Sequence, residues 1–298
     1  MDYREWRAAL EELVNQGLRD HRAAKVAAAL GAESARVAKA PTRPVTAGPP
    51  SPASSPSPEE PAPDLGLTVT TPVLGVDACA GGWVGVCLRP DLPPTVLTGA
   101  TVAALLDLAR TTGPVSLVAV DIPIGLPDSG SRRADALARA ELPGKGSSLF
   151  TTLTRAAYQA ETYADAREAN VAATGGASAS AQAYALRAKI LEVDAWVRSR
   201  PGVEVIEVHP ELSFARMAGA PLASRKKDAD GVAARRDALA GAGLVAPPWF
   251  RGSGFAEDDL LDACAAAWSA VRHSQGRSES FPAAPEVFTD GIPAAIRV

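Results

Sequence analysis

The sequence is poor in the residues that hold disulfide-rich domains and zinc sites together. It contains three cysteines, an odd number too small for a disulfide framework, and no Cys-x-x-Cys pair. Only three histidines occur in the chain. These low counts exclude a disulfide-stapled fold and argue against a zinc enzyme.

Excess basic charge and long apolar runs are also missing. Thirty Lys and Arg residues stand against 34 Asp and Glu, a net charge of −4. The chain therefore lacks the overall basic character of many nucleic-acid-binding proteins, although a local basic patch is compatible with this balance. Every apolar run is interrupted before about 18 residues, too short for a membrane-spanning helix. Because the start, MDYREW, contains no apolar stretch typical of a signal peptide, we expect a soluble, cytoplasmic protein.

The 298 residues, 47% of them apolar, suffice for a sizeable core, and their composition divides the chain into three parts. Residues 41–64 contain nine prolines and no aromatic residue, Leu or Ile. Such a segment cannot bury enough apolar surface to offset its ordering entropy, so we predict a disordered Pro-rich linker. It separates a small N-terminal head, 1–40, from a body, 65–298.

The head is predicted to be helical, because apolar residues recur at steps of three and four. Its second half, AAKVAAALGAESARVAKA, has apolar residues and a glycine at the spacing of a helix-turn-helix. Few polar side chains are available there for DNA contacts. Two interpretations stay open: a DNA-binding helix-turn-helix, and an Ala-rich helical hairpin that docks a protein partner or another copy.

The body alternates between strand-like and helix-like segments. VLGVDACAGGWVGVCL predicts two strands joined by a tight Gly-rich turn, and VSLVAVDIPIGLP predicts a central strand buried on both faces. A long, mostly helical stretch follows, then the strand VEVIEVHPE and a closing helix in DDLLDACAAAWSAVRHSQG. This order predicts one α/β domain with a mixed β-sheet flanked by helices.

Acidic residues occupy unusual positions in this pattern. Asp77 interrupts the first strand, Asp121 ends the fourth, Glu207 lies in a later strand, and Asp259 and Asp262 share a face of the closing helix. A charge in an apolar strand is costly unless it is paired or binds a metal. Carboxylates that converge from strands and a helix would suit Mg²⁺, which prefers oxygen ligands.

Each acidic residue also has a structural interpretation. Asp258 and Asp259 could face the N-terminal dipole of the helix, Asp121 could cap the turn before Pro123, and Glu207 could pair with an arginine. For any single position the two interpretations are evenly balanced. Their joint placement favours a functional site.

Several sequence blocks carry a family resemblance. The blocks GVDACAGGWVG, VDIPIGLPD with RRAD, GSSLF, KILEVD, EVHPELSF, SRKKDADG and DDLLDACAAAW together resemble the family catalogued as domain of unknown function 429. That family is described as a predicted nuclease of RNase H-like fold. The resemblance covers 73–298 in order, and the head and linker lie outside it.

The resemblance implies a chemistry for the acidic residues. RNase H-like enzymes place carboxylates on the first strand, the fourth strand and a late helix, which are the positions of Asp77, Asp121 and the Asp259/Asp262 pair. Glu207 would be an additional or substitute ligand. The family would then hydrolyse phosphodiester bonds of DNA or RNA with two Mg²⁺ or Mn²⁺ ions.

Basic and polar residues near these blocks are candidates for substrate contacts. The arginines and the lysines at 226 and 227 could instead be ion-paired or solvated structural residues. The histidine could serve as a general acid, as a metal neighbour or as a hydrogen-bonded structural residue. These candidates are Arg132, Arg133, Lys145, Ser148, His209, Lys226 and Lys227.

Two other functions are compatible with the same blocks. Gly81–Gly82 would permit a tight hairpin turn, but a Gly-rich hairpin beside a first-strand Asp also occurs in nucleotide-binding phosphotransferases of related fold. The second alternative is a binding module whose acidic site is vestigial. Tight ATP binding would identify the first, and metal binding without cleavage the second.

Overall fold

The computed structural model describes residues 67–298. The predicted head and the predicted linker lie outside the described residues. The strands are β1 (Val73–Cys79), β2 (Gly82–Leu88), β3 (Thr95–Gly99), β4 (Leu117–Val120), β5 (Glu204–Val208), β6 (Ser280–Val287) and β7 (Pro293–Arg297). The helices are α1 (Val102–Arg110), α2 (Arg133–Ala140), α3 (Arg155–Gln159), α4 (Tyr163–Thr174), α5 (Ala181–Ala185), α6 (Arg187–Arg198), α7 (Pro210–Ala218), α8 (Ala229–Gly241) and α9 (Glu257–Ser274).

The strands form one mixed sheet in the order β3-β2-β1-β4-β5-β7-β6. The first three strands are antiparallel, whereas β4 and β5 run parallel to β1. Helices cover both faces of the sheet, so one apolar core lies on each side of it. This architecture confirms the predicted α/β class with a mixed sheet flanked by helices.

Two strands were missed by the sequence interpretation, which made α9 the last element. β7 pairs with β5 in parallel, and β6 pairs antiparallel with β7 at the edge of the sheet. The β6 segment, SFPAAPEV, contains two prolines, which cannot donate to a ladder and are tolerated at a sheet edge. Because this segment has a low strand propensity, the sequence pattern did not indicate a strand here.

Helix α9 lies directly on β1, and a glycine makes this possible. A β-carbon at Gly75 would lie 2.1 Å from the backbone nitrogen of Ala267, so any side chain there would push the helix away. The facing stretch of α9 is rich in alanine, which keeps the helix close to the sheet. This contact fixes the acidic start of α9 relative to β1.

No helix within residues 67–298 is long and apolar enough to span a membrane.

Candidate functional site

The carboxyl ends of the central parallel strands present two aspartates side by side. Val76 of β1 pairs with Val120 of β4. Asp77 and Asp121, the residues that follow them, therefore occupy equivalent positions on the two strands. The backbone N–H of Asp121 donates to the carbonyl of Val76 at 3.0 Å. Asp77 is buried, whereas Asp121 is half-buried. Because β1 and β4 are parallel, both side chains belong to the same edge of the sheet.

The first turns of α9 add further carboxylates. Asp262 is 2% exposed, and its Oδ1 atom is buried without a hydrogen-bond partner within the described residues. Asp258 is also buried. Asp259 accepts a hydrogen bond from the N–H of Ala256 at 2.9 Å, so it caps the helix as well as facing the site.

Electrostatics show that these acids act on one another. Burial raises the pKa of Asp77 well above its usual range, and the charges of Asp121 and Asp262 raise it further. Burial and then the charge of Asp262 raise the pKa of Asp121 to about 8. Burial also raises the pKa of Asp262. The structure therefore brings the three aspartates into one mutually repelling group, the aspartate cluster.

A cavity of about 260 Å³ opens at the cluster, and a second of about 330 Å³ adjoins it. Asp121, Ser148, His209 and Lys226 line both cavities. The first cavity also contacts Asp77, Asp259 and Glu207, and the second contacts Asp262 and Lys145. Most of the predicted site residues thus surround one connected space, which is large enough to admit part of a ligand.

Glu207 forms an ion pair with an arginine, as the structural interpretation of this residue predicted. Its two carboxylate oxygens accept from Arg132 Nη2 at 2.6 Å and Nη1 at 2.9 Å, and the N–H of Ile124 donates to Oε2 at 2.7 Å. Arg132 also donates through Nε to Asp135 at 3.1 Å, and it is fully buried. Arg132 therefore faces protein carboxylates in this structure, and both oxygens of Glu207 are already bonded.

The remaining candidates differ in position. The ammonium of Lys145 donates to the carbonyl of Ser224 at 2.9 Å, and the Ser148 hydroxyl donates to the carbonyl of Lys145 at 2.7 Å. These bonds close the loops that form the rim of the cavities. Arg133 and Lys227 are exposed and line neither cavity.

His209 lines both cavities. Burial lowers the pKa of His209 to about 4, so its imidazole is neutral near pH 7. Its Nδ1 atom is buried without a hydrogen-bond partner among the described residues. A neutral imidazole with one unused nitrogen at the cavity wall could contact a bound ligand.

Sequence reasoning missed one wall of the site. Gln182, on α5, lines both cavities, and Phe150 lines the first. Gln182 lies in an Ala- and Ser-rich helical stretch without any charge or motif to single it out. The packing of α5 beside α4 and α6 brings it to the site.

The Gly81–Gly82 hairpin has a packing explanation at its second glycine. Gly82 has φ +136°, and a β-carbon there would lie 2.3 Å from the carbonyl oxygen of Gly99 on β3. A β-carbon at Gly81 would meet only the carbonyl oxygen of Gly254, at 3.8 Å. The turn and its contact with β3 thus account for Gly82 without a bound phosphate.

The cluster offers only oxygen donors, including the unbonded Oδ1 of Asp262, and this chemistry fits a hard cation such as Mg²⁺ or Mn²⁺. Within residues 67–298, however, no three His, Cys, Asp or Glu side chains are spaced to hold a metal ion as they lie. The cluster has the type of ligand atom that such an ion prefers, but the side chains, as they lie in this structure, do not surround a metal-binding position.

The comparison with family models agrees with the sequence blocks. The family model described as "Protein of unknown function (DUF429)" matches residues 75–287. The chain belongs to this family. The solved structure of RuvC from Thermus thermophilus is similar at 15% identity and a TM-score of 0.29, over 70% of this chain and 98% of that one. None of the curated proteins matches the sequence.

Proposed function

We propose that this DUF429 protein is a divalent-metal-dependent nuclease that hydrolyses phosphodiester bonds of a nucleic acid. The observation that carries the proposal is the convergence of Asp77, Asp121 and Asp262 from two strands and a helix at two adjoining cavities, with Asp121 in the wall of both. Buried acids that repel one another are costly to the fold unless a cation joins them. Such an arrangement is typical of a functional site rather than of a stabilising one.

The aspartate cluster would hold the metal, with Asp259 beside it. When bound, Mg²⁺ or Mn²⁺ supplies an activated water and stabilises the negative charge on the leaving oxygen. The net reaction forms a bond from the water oxygen to phosphorus, breaks the phosphorus–oxygen ester bond, and transfers a proton to the leaving alcohol.

The other residues of the site have supporting roles in this proposal. The ion pair with Arg132 holds Glu207 in place in the wall of the first cavity, and the backbone N–H of Ile124, which follows β4, also donates to Glu207. At the rim, Lys145 and the exposed Arg225 place positive charge beside the second cavity, where a phosphate backbone would approach. The neutral His209 could donate to or accept from the substrate.

The proposal is tested with the full chain and a panel of end-labelled single- and double-stranded DNA and RNA. We expect cleavage of at least one substrate with Mg²⁺ or Mn²⁺ and none with EDTA. Asp77→Asn should reduce the rate by at least about 100-fold, because the lost charge stabilisation acts in the transition state. Asp107→Asn, at an exposed position on α1, serves as the matched control and should cleave at the normal rate.

Three results would contradict the proposal: no cleavage of any substrate, cleavage in EDTA, or full activity of Asp77→Asn. Magnesium-dependent ATP turnover without nucleic-acid cleavage would favour the phosphotransferase alternative. Metal binding without either activity would favour the vestigial binding module.

A further inference from the structure

A third cavity, of about 320 Å³, adjoins the first of the two cavities at the aspartate cluster. Leu149, Phe150, Thr152 and Gln182 line both the first cavity and the third, so the two spaces share a wall. Gln182 lines the second cavity as well. A chain-like substrate held at the cluster would therefore have the third cavity beside it.

The third cavity differs from the first in the charge of its wall. The first is lined by five acidic residues and one lysine, Lys226, whose ammonium is 2.8 Å from Asp262 Oδ2. Among the described residues that line the third, none is acidic and Arg139 is the one basic side chain. Serine, threonine and amide side chains make up most of the rest. A phosphate group therefore meets less repulsion in the third cavity than in the first.

Arg139, in the last turn of α2, keeps its charge available to a ligand. Its Nη2 atom donates to the carbonyl of Leu149 at 3.1 Å and to the hydroxyl of Thr151 at 3.0 Å, and these bonds hold the guanidinium at the cavity. Arg139 forms no ion pair within residues 67–298, and Glu141, just after α2, is paired with Arg216. A guanidinium without a carboxylate partner is well suited to bind a phosphate.

Phe150 and Gln182 provide the chemistry that recognises a nucleobase. Phe150 is half-buried, packs against the apolar core on its side of the sheet and lines the first and third cavities. The amide of Gln182 is exposed and makes no hydrogen bond within the described part of the chain. Aromatic rings stack on unpaired bases, and an amide can both donate to and accept from the edge of a base. A base inside a duplex can reach neither residue, because it is already stacked and paired.

We propose that the third cavity binds an unpaired nucleotide next to the phosphodiester that is cleaved, so that the substrate is a single-stranded polynucleotide or a single-stranded region of one. Phe150 stacks on the base, Gln182 bonds to its edge, and Arg139 contacts a flanking phosphate. This inference rests on the proposed function and narrows its substrate from any nucleic acid to an unpaired strand.

The test is a binding titration of the full chain in EDTA, in which the proposed nuclease does not cut. The probes are single-stranded DNA and RNA oligonucleotides of one sequence, each carrying a fluorescent base analogue whose emission falls on stacking, and the blunt DNA duplex of that sequence. Phe150→Leu removes the ring but keeps an apolar side chain, Phe150→Tyr keeps the ring, and Arg139→Gln removes the charge.

The chain offers a matched control for each change. Phe250→Leu alters an exposed aromatic residue that lines none of the three cavities. Arg110→Gln alters an arginine in the last turn of α1, which also lines none of them.

We expect Phe150→Leu and Arg139→Gln each to weaken the binding of a single-stranded probe by roughly 10-fold, and Phe150→Leu to abolish the fall in emission. Phe150→Tyr and the two controls should bind as the unmodified protein does. Affinity for the duplex should be the same in every variant, because paired bases do not enter the cavity.

Unchanged affinity for single strands in either Phe150→Leu or Arg139→Gln, an equal loss for the duplex, or no binding of either single-stranded probe would overturn the proposal. Cleavage in the substrate panel would then still support the nuclease function. If Phe150→Leu does not fold, Gln182→Ala, at an exposed position, replaces it and should also weaken the binding of single strands. The expected binding without cleavage of any substrate would contradict the proposed function and leave the third cavity as a single-strand site.

Discussion

Two adjacent groups of acids in this fold differ in the partners that their carboxylates have. In the first, the arginine-paired acids, Glu207 and Asp135 share the buried guanidinium of Arg132, and both oxygens of Glu207 accept hydrogen bonds. In the second, the aspartate cluster, the carboxylates raise one another's pKa and Asp262 keeps an unbonded oxygen. Val120, directly before Asp121, pairs with Glu207 across the sheet, so the two groups are adjacent.

We propose that this difference separates structural acids from functional ones. A carboxylate whose oxygens are all bonded to protein donors has nothing left to offer a ligand without losing those bonds. A carboxylate that repels its neighbours gains from any cation that arrives. Removing a charge should therefore have opposite effects in the two groups.

The largest effect is expected for Arg132→Met. It removes the cation shared by Glu207 and Asp135 and leaves two buried carboxylates without it, so we expect the free energy of unfolding to fall by about 3–5 kcal/mol. Urea denaturation measures this loss. Arg133→Met, at the exposed neighbouring position, should change stability by no more than about 0.5 kcal/mol. Equal effects of the two variants would remove the distinction between the groups.

In the aspartate cluster, neutralising one acid should stabilise the metal-free protein. Asp77→Asn relieves repulsion from Asp121 and Asp262, so we expect the Tm in EDTA to stay level or rise by about 2–4 °C, corresponding to about 1 kcal/mol. The rise in Tm that Mg²⁺ or Mn²⁺ gives by binding the native state should shrink in the same variant. Thermal melts with and without metal measure both changes.

A marked loss of stability in Asp77→Asn, with no metal effect in either protein, would instead make Asp77 a structural residue. Glu207→Gln provides the contrast, because it breaks a buried ion pair and should lower the Tm in both conditions.

A smaller effect is expected on the pH dependence of stability. The pKa of Asp121 rises to about 8 in the folded protein from about 3.9 when unfolded, so the folded state keeps a proton that the unfolded state has lost. Metal-free stability should consequently fall as the pH rises between these values. His209, whose pKa is lowered to about 4, has the opposite effect only below its unfolded pKa of about 6.5.

The interval between about pH 6.5 and 8 therefore isolates the carboxylates. In EDTA, the midpoint of urea unfolding should decrease across this interval, and Asp121→Asn should flatten the decrease. A His209→Gln control should keep the slope. A midpoint that rises with pH in the unmodified protein would show that the cluster is not under repulsion.

The sequence was sufficient to predict the positions of the key acids along the chain. Asp77 and Asp121 interrupt or end apolar segments in the sequence, and the structure places them at one edge of a parallel pair of strands. Nothing local distinguishes Glu207 from them. Its role depends on Arg132, which lies 75 residues away in the chain. Lys226 is likewise 36 residues from Asp262, so its contact with the cluster had no sequence signal.

The most direct test of the account is to locate the metal ion by anomalous diffraction from crystals of the full chain grown with Mn²⁺. We predict a strong peak bonded to carboxylate oxygens of Asp77, Asp121 and Asp262, at the roughly 2.0–2.2 Å separations typical of such ligands. A peak at any other position, no peak at all, or carboxylates of these three residues more than about 10 Å apart, many times the bond length to such an ion, would contradict it.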